Sequence, residues 1–209
     1  MSIPGSTSTP SGAPRVVIAE DEALIRLDLA EMLTEEGYDV VGAAGDGEQA
    51  VALAIEHQPD LVVMDVKMPK LDGIAAAAQI AHAKIAPVVM LTAFSQRELV
   101  ERAREAGAMA YVVKPFGRSD LVPAIEMARS RFAEMMALEA EVDELTERLE
   151  TRKMVERAKA VLQQTRGMSE PEAFSWIQHT AMDLRLTMLQ VATTVMQNSS
   201  TVTEEPQQP

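Results

Sequence analysis

The sequence has 209 residues, a formal net charge of −13 and no cysteine. This length suits one full domain followed by a smaller module. The lack of cysteine excludes disulfides and thiolate metal sites. Residues 1–14 lack the features of a signal peptide and are expected to be disordered, and no apolar run reaches membrane-spanning length. We therefore predict a cytoplasmic protein that does not contact a membrane.

Residues 15–130 alternate short apolar strands with helices five times. Gly37 and Gly107 end two of the helices. A Ser95–Glu98 capping box opens another helix, and Ser119 is expected to cap the last one. The predicted strands are 16–18, 40–41, 61–64, 88–92 and 110–113. Strands that are apolar throughout indicate an α/β domain with a parallel sheet covered by helices on both faces.

Polar side chains stand at the carboxyl ends of four of these strands. Glu20 and Asp21 follow the first strand and Asp65 follows the third. Thr92 ends the fourth strand, and Lys114 follows the fifth. Because the carboxyl ends of parallel strands face one crevice, we expect these groups to converge. They suit a hard divalent cation and a phosphoryl group, and a carboxylate beside both can act as a nucleophile.

Each of these residues, taken alone, could have a simpler role. Such roles are an acidic residue in the first turn of a helix, a turn or loop residue, or a surface lysine. Only their shared position at strand ends favours a site. The three histidines lack metal-ligand spacing, and the sequence has no Gly-rich nucleotide loop. We therefore interpret these residues as a site at which the protein itself is phosphorylated. We predict that the protein is not an enzyme.

One long helix should follow this domain, because no Pro or Gly interrupts residues 124–166. Its apolar residues recur at steps of three and four, with one slip of register, as in a coiled coil. They are Ala128, Phe132, Met135, Leu138, Val142, Leu145 and Leu149. Acidic residues cover the remaining surface, so a two-chain coiled coil over 131–148 is favoured over a single helix packed on the domain.

Residues 149–198 predict a small all-α module of three helices. Capping boxes at Ser169–Glu172 and Thr187–Gln190 open its second and third helices. Trp176 is expected at the centre of its core. Residues 199–209 are polar and are predicted to be disordered.

Together these motifs resemble the receiver domain of bacterial two-component response regulators, which has a flavodoxin-like (CheY-like) fold with a five-stranded parallel sheet. The resemblance implies that Asp65 accepts a phosphoryl group from a sensor histidine kinase. The implied Mg²⁺ ligands are Glu20, Asp21, Asp65 and the main-chain carbonyl of Lys67. Clustered carboxylates raise one another's pKa unless a cation is present, which agrees with a metal site. Some members of the family have Asp in place of Glu20.

The same resemblance assigns roles around Asp65. Lys114 would pair with one phosphoryl oxygen, and the Thr92 hydroxyl would donate a hydrogen bond to another. Tyr111 matches the switch aromatic of the family, and its alternative role is packing on an edge strand. The Lys114–Pro115 peptide bond is expected to be cis.

The C-terminal module resembles the ANTAR domain, a three-helix RNA-binding module of transcription antitermination regulators. The resemblance lies in segments 158–162, 167–170, 172–174, 181–182 and 191–192. Ala160 stands where many members have Gly. A candidate RNA-binding stripe on the long helix consists of Arg148, Arg152, Lys159 and Arg166. A solvated helix face would show the same spacing.

These resemblances imply a phosphorylation-dependent response regulator that binds RNA hairpins and causes transcription antitermination. Phosphorylation is expected to promote a homodimer through the long helix. DNA binding is disfavoured because residues 188–197 contain no Lys or Arg, which major-groove readers use. The alternative is a receiver-controlled relay in which the C-terminal module binds a protein partner and no RNA.

Overall fold

The computed structural model describes residues 12–93 and 97–200. The Ser95–Glu98 capping box and most of the segments 1–14 and 199–209 lie outside the described residues, so their predictions stay open. The chain divides into two units within one long helix, after Met136.

The first unit alternates strands and helices as the sequence predicts. Its strands are β1 (Arg15–Ala19), β2 (Asp39–Ala44), β3 (Leu61–Asp65), β4 (Val88–Thr92) and β5 (Ala110–Val113). Its helices are α1 (Ala23–Glu35), α2 (Gly47–His57), α3 (Gly73–His82), α4 (Arg97–Glu105) and the start of α5 (Arg118–Arg166). The strands form one parallel sheet in the order β2-β1-β3-β4-β5. This is the flavodoxin-like order, so the predicted fold is confirmed.

Successive residues of the central strands pack into two separate cores, one on each face of the sheet. In β3, Val62 and Met64 join the core formed with α2 and α3. Leu61 and Val63 join the core formed with α1 and α5. All four side chains are fully buried. Because β3 is covered on both faces, its carboxyl end is held firmly where the polar residues begin.

The helix ends agree with the sequence at two positions and differ at a third. Gly37 and Gly107 follow α1 and α4 with φ of +86°, a conformation that strains other residues. The prediction that Ser119 caps α5 is wrong, because the helix already begins at Arg118. The Asp120 carboxylate instead accepts a hydrogen bond of 3.0 Å from the Gly117 N–H. An acidic side chain in a first turn also offsets the positive end of the helix.

The long helix α5 is continuous from Arg118 to Arg166, as predicted. One member of the predicted coiled-coil seam is misplaced, because Ala128 is fully buried in the core of the first unit. Four later members are between 53% and 62% exposed: Leu138, Val142, Leu145 and Leu149. The exposed seam is therefore shorter than predicted. Within the described residues, no helix has both the length and the apolar composition needed to cross a bilayer.

The second unit consists of the end of α5 with α6 (Glu170–Leu184) and α7 (Met188–Ser200). Both predicted capping boxes are formed, at Ser169–Glu172 and Thr187–Gln190. The core centres on α6 residues spaced by four, which are Ala173, Ile177 and Ala181. Trp176 is only partly buried beside this core, so its predicted central position is wrong. Helix α7 continues to Ser200, two residues into the segment predicted to be disordered.

Candidate functional site

A cleft of about 290 Å³ opens at the carboxyl ends of β3 and β4. Five predicted site residues line it: Asp21, Asp65, Lys67, Thr92 and Lys114. They meet because parallel strands share one carboxyl edge, and the strand order reverses between β1 and β3 at this point. The structure therefore brings together residues that lie far apart in the sequence.

Lys114 links the two buried carboxylates of the site. Its Nζ lies 2.5 Å from Glu20 Oε2 and 3.0 Å from Asp65 Oδ2. The other Asp65 oxygen, Oδ1, accepts a hydrogen bond of 2.7 Å from the Val66 N–H. The Glu20 side chain is fully buried, whereas the Asp65 side chain keeps 10% of its surface exposed. Of this pair, Asp65 is the carboxylate that a molecule in the cleft can reach.

The electrostatics of the site follow from burial and close charges. Burial raises the pKa of the Glu20 carboxyl, against the effect of its hydrogen bond with Lys114, and the charge of Asp65 raises it further. Burial alone would lower the pKa of Lys114, but its hydrogen bonds to Glu20 and Asp65 outweigh that effect and raise it. Lys114 therefore stays charged between two carboxyl groups.

The acidic residues fit a hard divalent cation. Glu20, Asp21 and Asp65 each offer one carboxylate oxygen, and these oxygens lie within 4.8 Å of one another. Mg²⁺ prefers oxygen ligands and keeps several of its waters, which an open cleft can hold. Lys67 lines the same cleft. Its carbonyl as a fourth protein ligand stays a prediction.

Sequence reasoning missed two residues that position the acidic cluster. The Arg26 guanidinium donates hydrogen bonds to the main-chain carbonyls of Glu20 and Asp21, which fixes the turn between β1 and α1. Gly73 begins α3 against the backbone of Asp65, where an added Cβ would lie 1.9 Å from the Asp65 carbonyl oxygen. The glycine at a helix start was a usable signal for Gly73. No sequence pattern identifies Arg26, since its contacts depend on the folded turn.

Two further predictions concern β5 and the residues after it. The Lys114–Pro115 peptide bond is cis, as expected. The Lys114 N–H donates a hydrogen bond of 2.7 Å to the carbonyl of Thr92, so the backbone of these two residues is joined directly. Tyr111 lies on the edge strand β5 and is 51% exposed, outside the residues that line the cleft. Its role as a switch residue stays a prediction.

The predicted RNA-binding stripe is interrupted at Lys159. This side chain is 8% exposed, and its Nζ lies 2.9 Å from Glu156 and 2.8 Å from Glu170. Hydrogen bonds to Glu170 and Glu156 raise the pKa of Lys159, and Lys159 in turn lowers the pKa of Glu170. Because the first residue of α6 packs over this part of α5, Lys159 joins the two helices rather than facing solvent. Its predicted place in an exposed stripe is wrong.

The other three predicted residues remain at the surface. Arg148 pairs with Glu144 at 2.6 Å on the same helix. Arg148 and Arg152 line a cleft of about 450 Å³ together with Phe174. The Arg166 guanidinium carbon lies 4.7 Å from the centre of the Trp176 ring. The stripe is therefore three separate arginines: Arg148 and Arg152 share a cleft with Phe174, and Arg166 lies over the ring of Trp176.

Comparison with known proteins decides the family. Residues 16–126 match the family model of the response regulator receiver domain, and residues 143–196 match that of the ANTAR domain. The chain belongs to the ANTAR response regulators. It is 66% identical to the transcriptional regulatory protein PdtaR of Mycobacterium tuberculosis over 197 residues, which cover 94% of this chain and 96% of that protein. The predicted combination of a receiver domain with a C-terminal ANTAR domain is therefore confirmed.

The receiver half of this ANTAR regulator is similar to proteins of other architectures. It is 40% identical to the chemotaxis protein CheY of Bacillus subtilis over 114 residues, or 54% of this chain and 95% of that protein. The receiver domain of NarL from M. tuberculosis matches with a TM-score of 0.52 at 30% identity, covering 54% of this chain and 93% of that one. The CheX–CheY–BeF3–Mg complex of Borrelia burgdorferi matches with a TM-score of 0.51 at 32% identity. The match covers 56% of this chain and 88% of the chain in that complex.

Proposed function

We propose that this ANTAR regulator accepts a phosphoryl group on Asp65 from a sensor histidine kinase and, once phosphorylated, binds RNA hairpins to cause transcription antitermination. One observation carries the first half of this proposal. Asp65 faces the cleft while Lys114 holds one of its oxygens at 3.0 Å. A carboxylate placed beside a fixed ammonium is prepared to receive an anionic group.

The transfer step uses groups that line the cleft. A carboxylate oxygen of Asp65 forms a bond to phosphorus, the P–N bond to the donor histidine breaks, and the imidazole keeps the electron pair. Lys114 neutralises one phosphoryl oxygen, and the hydroxyl of Thr92 donates a hydrogen bond to another. These contacts draw Thr92 and Lys114 towards Asp65, and Tyr111 transmits that movement to the face formed by α4 and α5.

The acidic cluster would hold Mg²⁺ for this reaction. Its ligands would be Glu20, Asp21, Asp65 and the main-chain carbonyl of Lys67. When bound, the cation offsets the charge of the phosphoryl oxygens beside the carboxylates. A similar receiver solved with BeF3 and Mg supports this assignment.

Pairing of two chains through α5 would couple the receiver to the output module. The exposed apolar residues of the helix follow steps of four, three and four, which is the spacing of a coiled-coil seam. They are Leu138, Val142, Leu145 and Leu149. A seam of four residues is short and should hold two chains together only weakly. A dimer that becomes stable only when Asp65 is phosphorylated would agree with this short seam.

RNA is the output ligand that the second unit supports best. Between residues 148 and 200 the chain has more basic than acidic side chains, although the whole chain is strongly acidic. Arg152 and Arg166 stand beside Phe174 and Trp176, which suits the phosphates and unstacked bases of an RNA loop. Helix α7 contains no Lys or Arg, which argues against DNA reading.

A labelling experiment tests the receiver half. The full chain is incubated with Mg²⁺ and a small acyl phosphate, and intact mass is measured. Wild type and Asp28→Asn, an exposed control, should each gain one phosphoryl group. Asp65→Asn should gain none, and labelling of that variant would contradict the assignment.

A pull-down tests the output half. Phosphorylated and untreated chains are used to capture RNA from cells, and the bound RNA is sequenced. Enrichment of hairpins by the phosphorylated chain supports the proposal. A phosphorylation-dependent protein partner with no RNA enrichment would instead support the protein-interaction relay.

A further inference from the structure

The second unit contains a cavity that the proposed function has not used. It measures about 690 Å³ and lies between the end of α5, α6 and α7. Trp176 and Arg166 both line it, and the guanidinium carbon lies 4.7 Å from the centre of the indole ring. We call it the Trp176 cavity. Its volume falls in the range of about 300–1,000 Å³ that is usual for pockets that hold small molecules.

The charge of the Trp176 cavity differs from that of the chain. The sequence has a net charge of −13, yet the described residues that line the cavity include one arginine and no Asp or Glu. Since a carboxylate would repel a phosphate and a guanidinium attracts one, the lining favours an anionic ligand.

The polar groups of the lining offer hydrogen-bond acceptors. The hydroxyl of Thr165 donates to the carbonyl of Val161 at 2.8 Å, and that of Thr194 donates to the carbonyl of Gln190 at 2.9 Å. Because each hydroxyl has one proton, both oxygens keep lone pairs that can accept from a ligand. The exocyclic amino groups of nucleobases can donate hydrogen bonds to these oxygens. Leu162, among other apolar side chains, forms the rest of the wall.

An unstacked nucleobase with its phosphate is a ligand that could contact the aromatic ring, the guanidinium and the hydroxyl oxygens of this lining. It has flat faces that stack on an aromatic ring or a guanidinium, a polar edge and an adjoining phosphate. We propose that the Trp176 cavity receives one unstacked base of an RNA hairpin loop, with Arg166 beside the phosphate that adjoins it. This inference rests on the proposed RNA-binding function and adds a base-reading site to it. It also gives a reason for Trp176 to stand at the edge of the core.

The test uses the full chain, phosphorylated with a small acyl phosphate and Mg²⁺, and a pool of RNA hairpins with one fixed stem and a randomised loop. Hairpins that bind are recovered, and one of them is titrated while tryptophan fluorescence is recorded. Trp176 is the sole tryptophan of the sequence, so the signal reports on this cavity alone. We expect the hairpin to quench the fluorescence and to protect it from acrylamide. Removing the base at one loop position should weaken binding about tenfold and abolish the quenching.

Matched variants separate the cavity from general phosphate attraction. Arg166→Ala should weaken hairpin binding about tenfold. Arg157→Ala, an exposed arginine of α5 outside the cavity, should change it less than about threefold. Thr194→Val keeps the shape of a lining residue, removes its hydroxyl and should also weaken binding.

The possible failures are distinguishable. If hairpins bind tightly while Trp176 fluorescence is unchanged and Arg166→Ala matches Arg157→Ala, the base-reading site is wrong and RNA binding stands. If free nucleoside monophosphates bind as tightly as the hairpin, the cavity is a small-nucleotide site and the inference is overturned. If no hairpin is recovered from the pool by phosphorylated chain, the proposed RNA-binding function fails and the inference fails with it.

Discussion

The ammonium of Lys114 lies 2.5 Å from a carboxylate oxygen of Glu20, whose side chain is fully buried. Glu20 follows β1 and Lys114 follows β5, so this ion pair spans the carboxyl edge of the sheet above β3 and β4. Asp65 lies between them and shares the same ammonium. The pair therefore stabilises the fold and fixes the charge beside the proposed phosphorylation site.

Removing this ammonium should destabilise the receiver. Lys114→Ala leaves the buried carboxylate of Glu20 without its partner, and breaking a buried ion pair from one side costs about 3 kcal/mol. We expect that loss in urea unfolding measured without Mg²⁺. The double variant Glu20→Gln with Lys114→Ala should recover part of it, because the amide is neutral. An unchanged unfolding midpoint for Lys114→Ala would contradict this account of the pair.

The close approach of α3 to β3 predicts an unusual sensitivity at Gly73. In Gly73→Ala the new Cβ would meet the Asp65 carbonyl oxygen at 1.9 Å, so the backbone must shift. We expect a loss of about 1–3 kcal/mol in unfolding free energy and weaker Mg²⁺ binding. Gly117→Ala is the control, because its Cβ would meet no atom closer than 3.9 Å. Similar effects of the two substitutions would rule out a specific role for Gly73.

Alkaline pH should weaken the first unit through Tyr38. Burial raises the pKa of its hydroxyl to about 12, and the Glu126 carboxylate, which accepts its hydrogen bond at 2.9 Å, adds to the effect. An unfolded tyrosine has a pKa of about 10, so between about pH 10 and 12 the unfolded chain loses this proton first. Stability should fall over that window by on the order of 2 kcal/mol relative to Tyr38→Phe. A pH-independent difference between the two chains in urea unfolding would refute this.

Arg152 and Lys159 should have separable roles in the second unit. Arg152 is exposed, so Arg152→Ala should leave the melting temperature unchanged and reduce the slope of log affinity for RNA against log salt by about one. Lys159 holds α5 to α6 through its ion pair with Glu170, so Lys159→Ala should lower the melting temperature of the unit. A lower melting temperature for Arg152→Ala together with an unchanged one for Lys159→Ala would reverse the assignment.

Most of the fold and of the receiver site could be predicted from the sequence. Uninterrupted apolar strands specify a parallel sheet, and the topology alone then brings Asp21, Asp65 and Thr92 to one edge. The part that could not be predicted depends on packing between elements. Lys159 is buried because α6 begins beside it, and the spacing of basic residues along α5 carries no information about that neighbour.

Side-chain direction explains the remaining errors. The sequence marks Trp176 as the largest apolar residue of its helix, but the inward positions of α6 are occupied by Ala173, Ile177 and Ala181. Ala128 has the spacing of a coiled-coil residue, yet the same face of α5 packs on the sheet of the first unit. A periodic pattern identifies an apolar face, and only the fold determines what covers it.

Phosphorylation of Asp65 should control RNA binding, and the affinity of one recovered hairpin is the decisive measurement. Affinity is measured at one fixed salt concentration for wild type and Asp65→Asn, each before and after treatment with acyl phosphate and Mg²⁺. We expect tighter binding by treated wild type, with a shift towards dimer in solution mass, and no change for Asp65→Asn. Equal affinity of treated and untreated wild type, with labelling confirmed by intact mass, would contradict this expectation.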